Sequence, residues 1–177
     1  MVHKILLIGS TDLTLRIAEF LYSKDMLSGI VNTNEIIKNK SGYTQKNYRY
    51  QDLKEWCEKK KVRFFRGLGQ EDIVIAQNAT HSSIALLAGV HNIIKKNIMD
   101  KFPLGMFAIH ASLLPYLRGW SPLNWAILLG LKETGVSLFK VSSGMDDGPI
   151  VYQHKFIIAS DAYIEDLIEI SHKETIK

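Results

Sequence analysis

Two residues of this 177-residue chain have the type and setting to move a proton, His110 and Asp146. His110 closes the apolar run Met106-Phe107-Ala108-Ile109, which reads as a β-strand. Asp146 lies in the glycine-bounded turn Gly144-Met145-Asp146-Asp147-Gly148. A carboxylate beside an imidazole favours the charged ring, so the pair could hold a proton near a reacting group. A plainer reading stands beside it: a single histidine is more often a packing residue, and Asp-Asp-Gly is ordinary turn chemistry. Spacing alone leaves both open. His81, His154 and His172 show no metal-ligand spacing and Cys57 is the only cysteine, so no metal is expected.

The elements that would carry these residues alternate between strand and helix. Lys4 to Ile8 is an apolar run ending at Gly9-Ser10-Thr11-Asp12, and Leu13, Ile17, Phe20 and Leu21 then repeat at helical spacing. Gly9 suits a tight turn, and the N–H groups of the following helix could meet an anion, which makes Gly9 and Ser10 candidate ligand contacts. The full G-x-G-x-x-G fingerprint is absent, which disfavours a dinucleotide. Gly29-Ile30-Val31 reads as a second strand, residues 33 to 50 as a polar mobile loop, and Tyr50 to Lys61 as a helix with Leu53, Trp56 and Cys57 inward. Val62 to Phe65 and Ser83 to Gly89 read as further strands, and Glu71 to Ile75 as an element of undecided type. A connection from Asn92 to Phe102 leads to the strand that ends on His110. Ser121 and Pro122 are the N-cap and first position of a helix, Thr134 to Phe139 alternates like a strand, and Tyr163 to Ile176 reads as a last core helix. This order predicts an α/β fold with a doubly wound, mostly parallel sheet, in which Gly89 and His110 sit at carboxyl ends of strands, where ligands gather.

The length suits one domain spanning residues 1–177. No apolar run approaches the ~20 residues of a membrane span, and the start lacks a secretory pattern. With a single cysteine and so no internal disulfide, the cytoplasm is the expected compartment. The net charge of +4 suits an anionic substrate, but the basic residues are spread out. The densest group, Lys59 to Lys61 with Arg63 and Arg66, also holds Glu55 and Glu58, and reads as a solvated helix face or an anion-steering patch. No basic stripe with interleaved aromatics appears, so nucleic acid is not the favoured partner.

From residues 110 to 150 the chain resembles the 10-formyltetrahydrofolate-dependent formyltransferases. The residues that carry the likeness are His110, Ser112-Leu113-Leu114-Pro115, Arg118-Gly119, Thr134-Gly135-Val136 and Asp146-x-Gly148, at the spacing of that family's Asn-x-His-x-Ser-Leu-Leu-Pro, Arg-Gly, Thr-Gly-Val and Asp-x-Gly pattern. Pro122-Leu123-Asn124-Trp125 is similar to the sugar-nucleotide N-formyltransferases, the UDP-4-amino-4-deoxyarabinose enzyme in particular. The resemblance implies a Rossmann-like core and transfer of a formyl group from the co-substrate 10-formyltetrahydrofolate to an amine. His110 would stabilise or protonate the tetrahedral oxyanion, and Asp146 would tune the histidine and help the amine proton leave. It further implies main-chain contacts to the pterin from Asn92, Ile93 and Ile94, and from Val141, Ser142, Ser143, Gly144 and Met145.

The acceptor implied is a nucleotide-linked amino sugar, as in lipopolysaccharide or O-antigen biosynthesis, with Gly9, Ser10, Arg118 and Asn124 as substrate contacts. Arg118 is equally suited to fixing its loop or meeting a phosphate. Trp120 and Trp125 are expected to pack, with Trp120 alternatively stacking on a base or sugar, Asp147 to be solvated, and His91 to belong to a loop or line a ligand site. The chain departs from the family at Ala108, where the resemblance calls for an asparagine that donates to the formyl oxygen. Losing such a donor costs roughly 100- to 1,000-fold in rate. Asn92, Asn97 and Asn124 are conceivable stand-ins. The alternatives are a catalytically inactive folate- or sugar-nucleotide-binding homologue, and a methionyl-tRNA formyltransferase-like enzyme. The sequence stops in its last core helix, which suggests a truncated or minimal core. A homodimer is expected only where the elements that follow in sugar formyltransferases are present.

Overall fold

The computed structural model describes residues 3–38, 44–67, 69–90 and 92–177. Its α/β chain divides into two compact units, Met1–Met106 and Phe107–Lys177. His91 and residues 39–43 of the polar stretch lie outside the described residues.

In the first unit, β1 (Ile5–Gly9), β2 (Leu27–Asn32), β5 (Arg63–Arg66) and β6 (Ile84–Ala88) run parallel in the order β5-β2-β1-β6. Leu6, Leu7, Ile8, Ile30, Val31, Ala85 and Ala88 are all buried, as strands must be when helices cover both faces. The helices α1 (Asp12–Ser23), α2 (Lys54–Lys60) and α3 (Gln70–Thr80) supply Ile17, Leu21, Cys57, Ile73 and Ala76 to that core. From β1 the chain goes out to β2 and β5, then returns to the other side of β1 at β6. This reversal makes the carboxyl ends of β1 and β6 a topological switch point. Thr11 and Thr14 cap α1 reciprocally, and the Thr14 hydroxyl donates to the Ala88 carbonyl at 3.1 Å. Gly9 is required there: at φ +155, a Cβ would overlap that same carbonyl.

The stretch read as a mobile loop contains β3 (Ile36–Lys38) and β4 (Thr44–Lys46), paired antiparallel. The residues after β4 are tied to the β1–α1 turn. Asn47 is buried and donates to Ser10 Oγ, Gln51 N–H donates to the Ser10 carbonyl, and Arg49 pairs with Asp12 at 2.8 Å. The undecided element at 71–75 lies inside α3, and the connection after Asn92 holds the short helix α4 (Lys96–Met99).

The second unit begins within β7 (Gly105–His110). Here β7 pairs antiparallel with β8 (Glu133–Lys140), which pairs antiparallel with β9 (Ile150–Ile157). Leu123 and Ala126 of α5 (Pro122–Leu128) pack with Val136, Phe156 and Ile158, and with Leu167 of α6 (Ile164–Ile176). No helix among the described residues is long and apolar enough to cross a membrane.

Candidate active site

β7 places position 108 and His110 on one face, because side chains two apart on a strand point the same way. Ala108 lies opposite Phe139 and His110 opposite Ser137 in the β7–β8 register. His110 is buried, with 8% of its surface exposed, and both ring nitrogens face acceptors. Nε2 lies 2.8 Å from the Leu117 carbonyl and Nδ1 lies 3.5 Å from Asp146 Oδ2. A carbonyl only accepts, so Nε2 carries a proton. In the neutral ring the Nδ1 lone pair then faces the carboxylate. At 3.5 Å the Nδ1 contact is looser than a hydrogen bond, which leaves it the easier of the two to exchange for a substrate atom.

Asp146 adopts a left-handed backbone, φ +49, which aspartate tolerates better than most residues. The same Oδ2 accepts the Gly119 N–H at 2.9 Å, so one carboxylate oxygen holds both the histidine and its loop. The neighbouring Asp147 is exposed and accepts the Ser142 hydroxyl, a local bond that separates the two carboxylates in role.

Loop 111–121 is fixed from beneath by the polar side chains of Ser112, Ser137 and Gln153. The buried Ser137 donates to the Ser112 carbonyl at 2.6 Å and accepts the Leu114 N–H and the Gln153 amide. Gln153 also donates to the Leu114 carbonyl, and Ser112 to the Tyr116 carbonyl. The Leu114–Pro115 peptide is cis, and Leu117, Gly119 and Ser121 have positive φ. Ser137, a buried hydroxyl between the apolar Val136 and Leu138, was the available signal: buried polar groups need partners. Gly135 has a packing reason, since a Cβ there would overlap the His154 carbonyl and the Leu113 side chain.

Ser121 occupies the N-cap position of α5 but makes no side-chain cap, and Arg118 and Asn124 are exposed. Trp120 and Trp125, expected to pack, are 44% and 53% exposed. Of the conceivable donors in place of the asparagine, Asn92, Asn97 and Asn124 are all exposed. Val141 and Ser142 are half-buried, whereas Ser143, Gly144 and Met145 are exposed. In the first unit Ser10 is fully buried, its hydroxyl 2.7 Å from that of Thr33. A cavity of about 230 Å³ in this unit is lined by Ile8, Val31, Thr33, Asn47, Gln70, Asn92 and Ile94 among others. Gln70 bonds the segment that carries Asn92, Ile93 and Ile94, through the Ile93 carbonyl and the Lys95 N–H.

Comparison with known proteins gives a consistent grouping. Residues 4–176 match the family model described as "Formyl transferase". The methionyl-tRNA formyltransferase of Kosmotoga olearia is 41% identical over 78 residues, covering 44% of this chain and 25% of the relative. That of Finegoldia magna is 24% identical over 169 residues, covering 94% of this chain and 54% of the relative. Over its full match the chain spans about half the length of such a curated relative. Glycinamide ribonucleotide transformylase 1 from Symbiobacterium toebii superimposes with a TM-score of 0.81 at 17% identity, over 99% of this chain and 82% of that one. WlaRD, a sugar 3N-formyl transferase solved with dTDP and 5-N-formyl-THF, gives 0.72 at 20% identity, over 99% and 60%. At these identities the two structures show the shared fold.

Proposed function

The chain belongs to the formyl transferase family, and from that membership we propose that it moves a formyl group from 10-formyltetrahydrofolate to a primary amine, with the chemistry at His110 and Asp146. The observation that carries this reading is the buried imidazole held between the Leu117 carbonyl and the Asp146 carboxylate. The amine nitrogen attacks the formyl carbon, and the charge that develops on the formyl oxygen is met by His110. Asp146 keeps the ring oriented and accepts the proton that the amine loses, which then returns to the departing N10 nitrogen as its bond to the formyl carbon breaks. Asn92, Ile93 and Ile94, and Val141 to Met145, bind the pterin through main-chain groups. Arg118 and Asn124, which are exposed, serve the acceptor directly, while the buried Gly9 and Ser10 support it by fixing the β1–α1 turn. Ala108 leaves the formyl oxygen without a side-chain donor at that position and slows the reaction.

The acceptor we favour is a nucleotide-linked amino sugar, on the strength of Pro122-Leu123-Asn124-Trp125, which opens α5. Methionyl-tRNA is the second reading, favoured by the names of the relatives identical at 41–47% over 70 to 78 residues. A cytoplasmic location fits either acceptor. The test is a panel of dTDP- and UDP-linked amino sugars and methionyl-tRNA, offered with 10-formyltetrahydrofolate to the chain and to Ala108→Asn. Transfer to a sugar nucleotide that tolerates salt supports the first reading. Transfer to tRNA, weakening steeply as salt rises, overturns it in favour of the second. Folate binding with no transfer by either form would mark a non-catalytic binding protein.

A further inference from the structure

Residues 92–95 belong to neither helix nor strand, yet Gln70, the first residue of α3, holds them as a strand neighbour would. Its Nε2 donates to the Ile93 carbonyl at 2.8 Å and its Oε1 accepts the Lys95 N–H at 2.8 Å. A primary amide presents one donor and one acceptor side by side, the same pair that an adjacent strand offers. In an extended chain the C=O of one residue and the N–H of the residue two further on point to one side. The N–H and C=O of the residue between them point to the other. With Gln70 on the Ile93 and Lys95 edge, the main-chain donor and acceptor of Ile94 are turned to the opposite edge. Gln70 is itself anchored: it starts a helix whose Ile73 and Ala76 are buried, and the Asp72 carboxylate accepts the N–H of Gly69 at 2.8 Å to fix the first turn.

We propose that Gln70 is a positioning residue for the formyl donor, a one-residue strand that presets the Ile94 N–H and C=O to pair with the pyrimidinone edge of the pterin. This rests on the folate reading of Asn92 to Ile94 given above. The role needs a neutral amide of this length. A carboxylate keeps the acceptor for Lys95 but sets a lone pair against the Ile93 carbonyl, and a thioether supplies neither bond.

The test titrates 5-formyltetrahydrofolate, a stable donor analogue, into the full chain and into Gln70→Met and Gln70→Glu, with thermal unfolding alongside. At neutral pH both variants are expected to bind about tenfold more weakly, with melting temperatures close to that of the parent. As pH falls from about 7 to about 5 and a glutamate begins to protonate, its acid form again offers a donor and an acceptor. Gln70→Glu therefore recovers affinity toward the parent while Gln70→Met does not. That comparison is made within one folded variant, so a general loss of structure cannot imitate it. Unchanged affinity in both variants, or no difference between them across the pH range, would overturn the role of Gln70 and leave the folate site standing. A parent chain that binds no folate at any pH would overturn the underlying reading, and this inference with it.

Discussion

Asp146 Oδ2 faces His110 Nδ1 at 3.5 Å and accepts the Gly119 N–H at 2.9 Å, so a single oxygen couples the histidine to the loop that follows it. In the proposed reaction this carboxylate has two duties: it keeps the ring aimed, and it takes the proton that the amine loses.

Asp146→Asn separates those duties. The amide oxygen can still accept from Gly119, but the side chain can no longer take a proton. Formyl transfer measured in the Ala108→Asn background is expected to fall by about 100- to 10,000-fold with little change in the affinity for folate. A loss of folate binding with unchanged turnover would assign Asp146 to ligand contact alone.

Gly135→Ala tests why the Thr134-Gly135-Val136 motif needs its glycine. The added methyl would overlap the His154 carbonyl on β9 and the Leu113 side chain of the loop after His110. Urea unfolding is expected to show a loss of about 1–3 kcal/mol, in the range of other overpacked cores. An unchanged unfolding midpoint would mean that β8 and β9 move apart freely.

Cys57, fully buried in α2, gives a pH-dependent prediction. Burial first, then the charges of Asp52 and Glu58, push its thiol from 9.0 up to about 12. The folded thiol keeps its proton where the unfolded one has already lost it. This contribution to stability is thus complete below pH 9.0 and is lost as pH rises toward 12. Disulfide reagents at pH 8 are expected to label Cys57 at the rate of unfolding, and rapid labelling of the native chain would contradict the buried placement.

The strands and their exits were legible because period and punctuation agreed. The apolar run before Gly9, the one before Gly89 and the one ending on His110 are strands that end there or one residue earlier. Residues 33–50 misled through composition: Asn, Lys and Tyr suggest a free loop, whereas Asn47 and Arg49 are held by long-range bonds to the β1–α1 turn. α3 was under-read because Ile73, Val74, Ile75 and Ala76 are consecutive and blur the helical stripe. The partners of His110 divide in the same way. Asp146 could be named from a motif, but the Leu117 carbonyl and the Gly119 N–H are main-chain groups, which residue types cannot reveal. Trp120 and Trp125 were expected to pack because tryptophan usually does, and no local pattern marked them as exposed.

The most direct test of the central claim is single-turnover formyl transfer by three forms of the chain: the parent, Ala108→Asn, and Ala108→Asn combined with His110→Ala. Position 108 shares the face of His110 on β7, so the added amide is expected to raise the rate about 100- to 1,000-fold. Removing His110 is expected to abolish the gain. No transfer by Ala108→Asn while it binds folate, or transfer that survives the loss of His110, would contradict formyl transfer at this site.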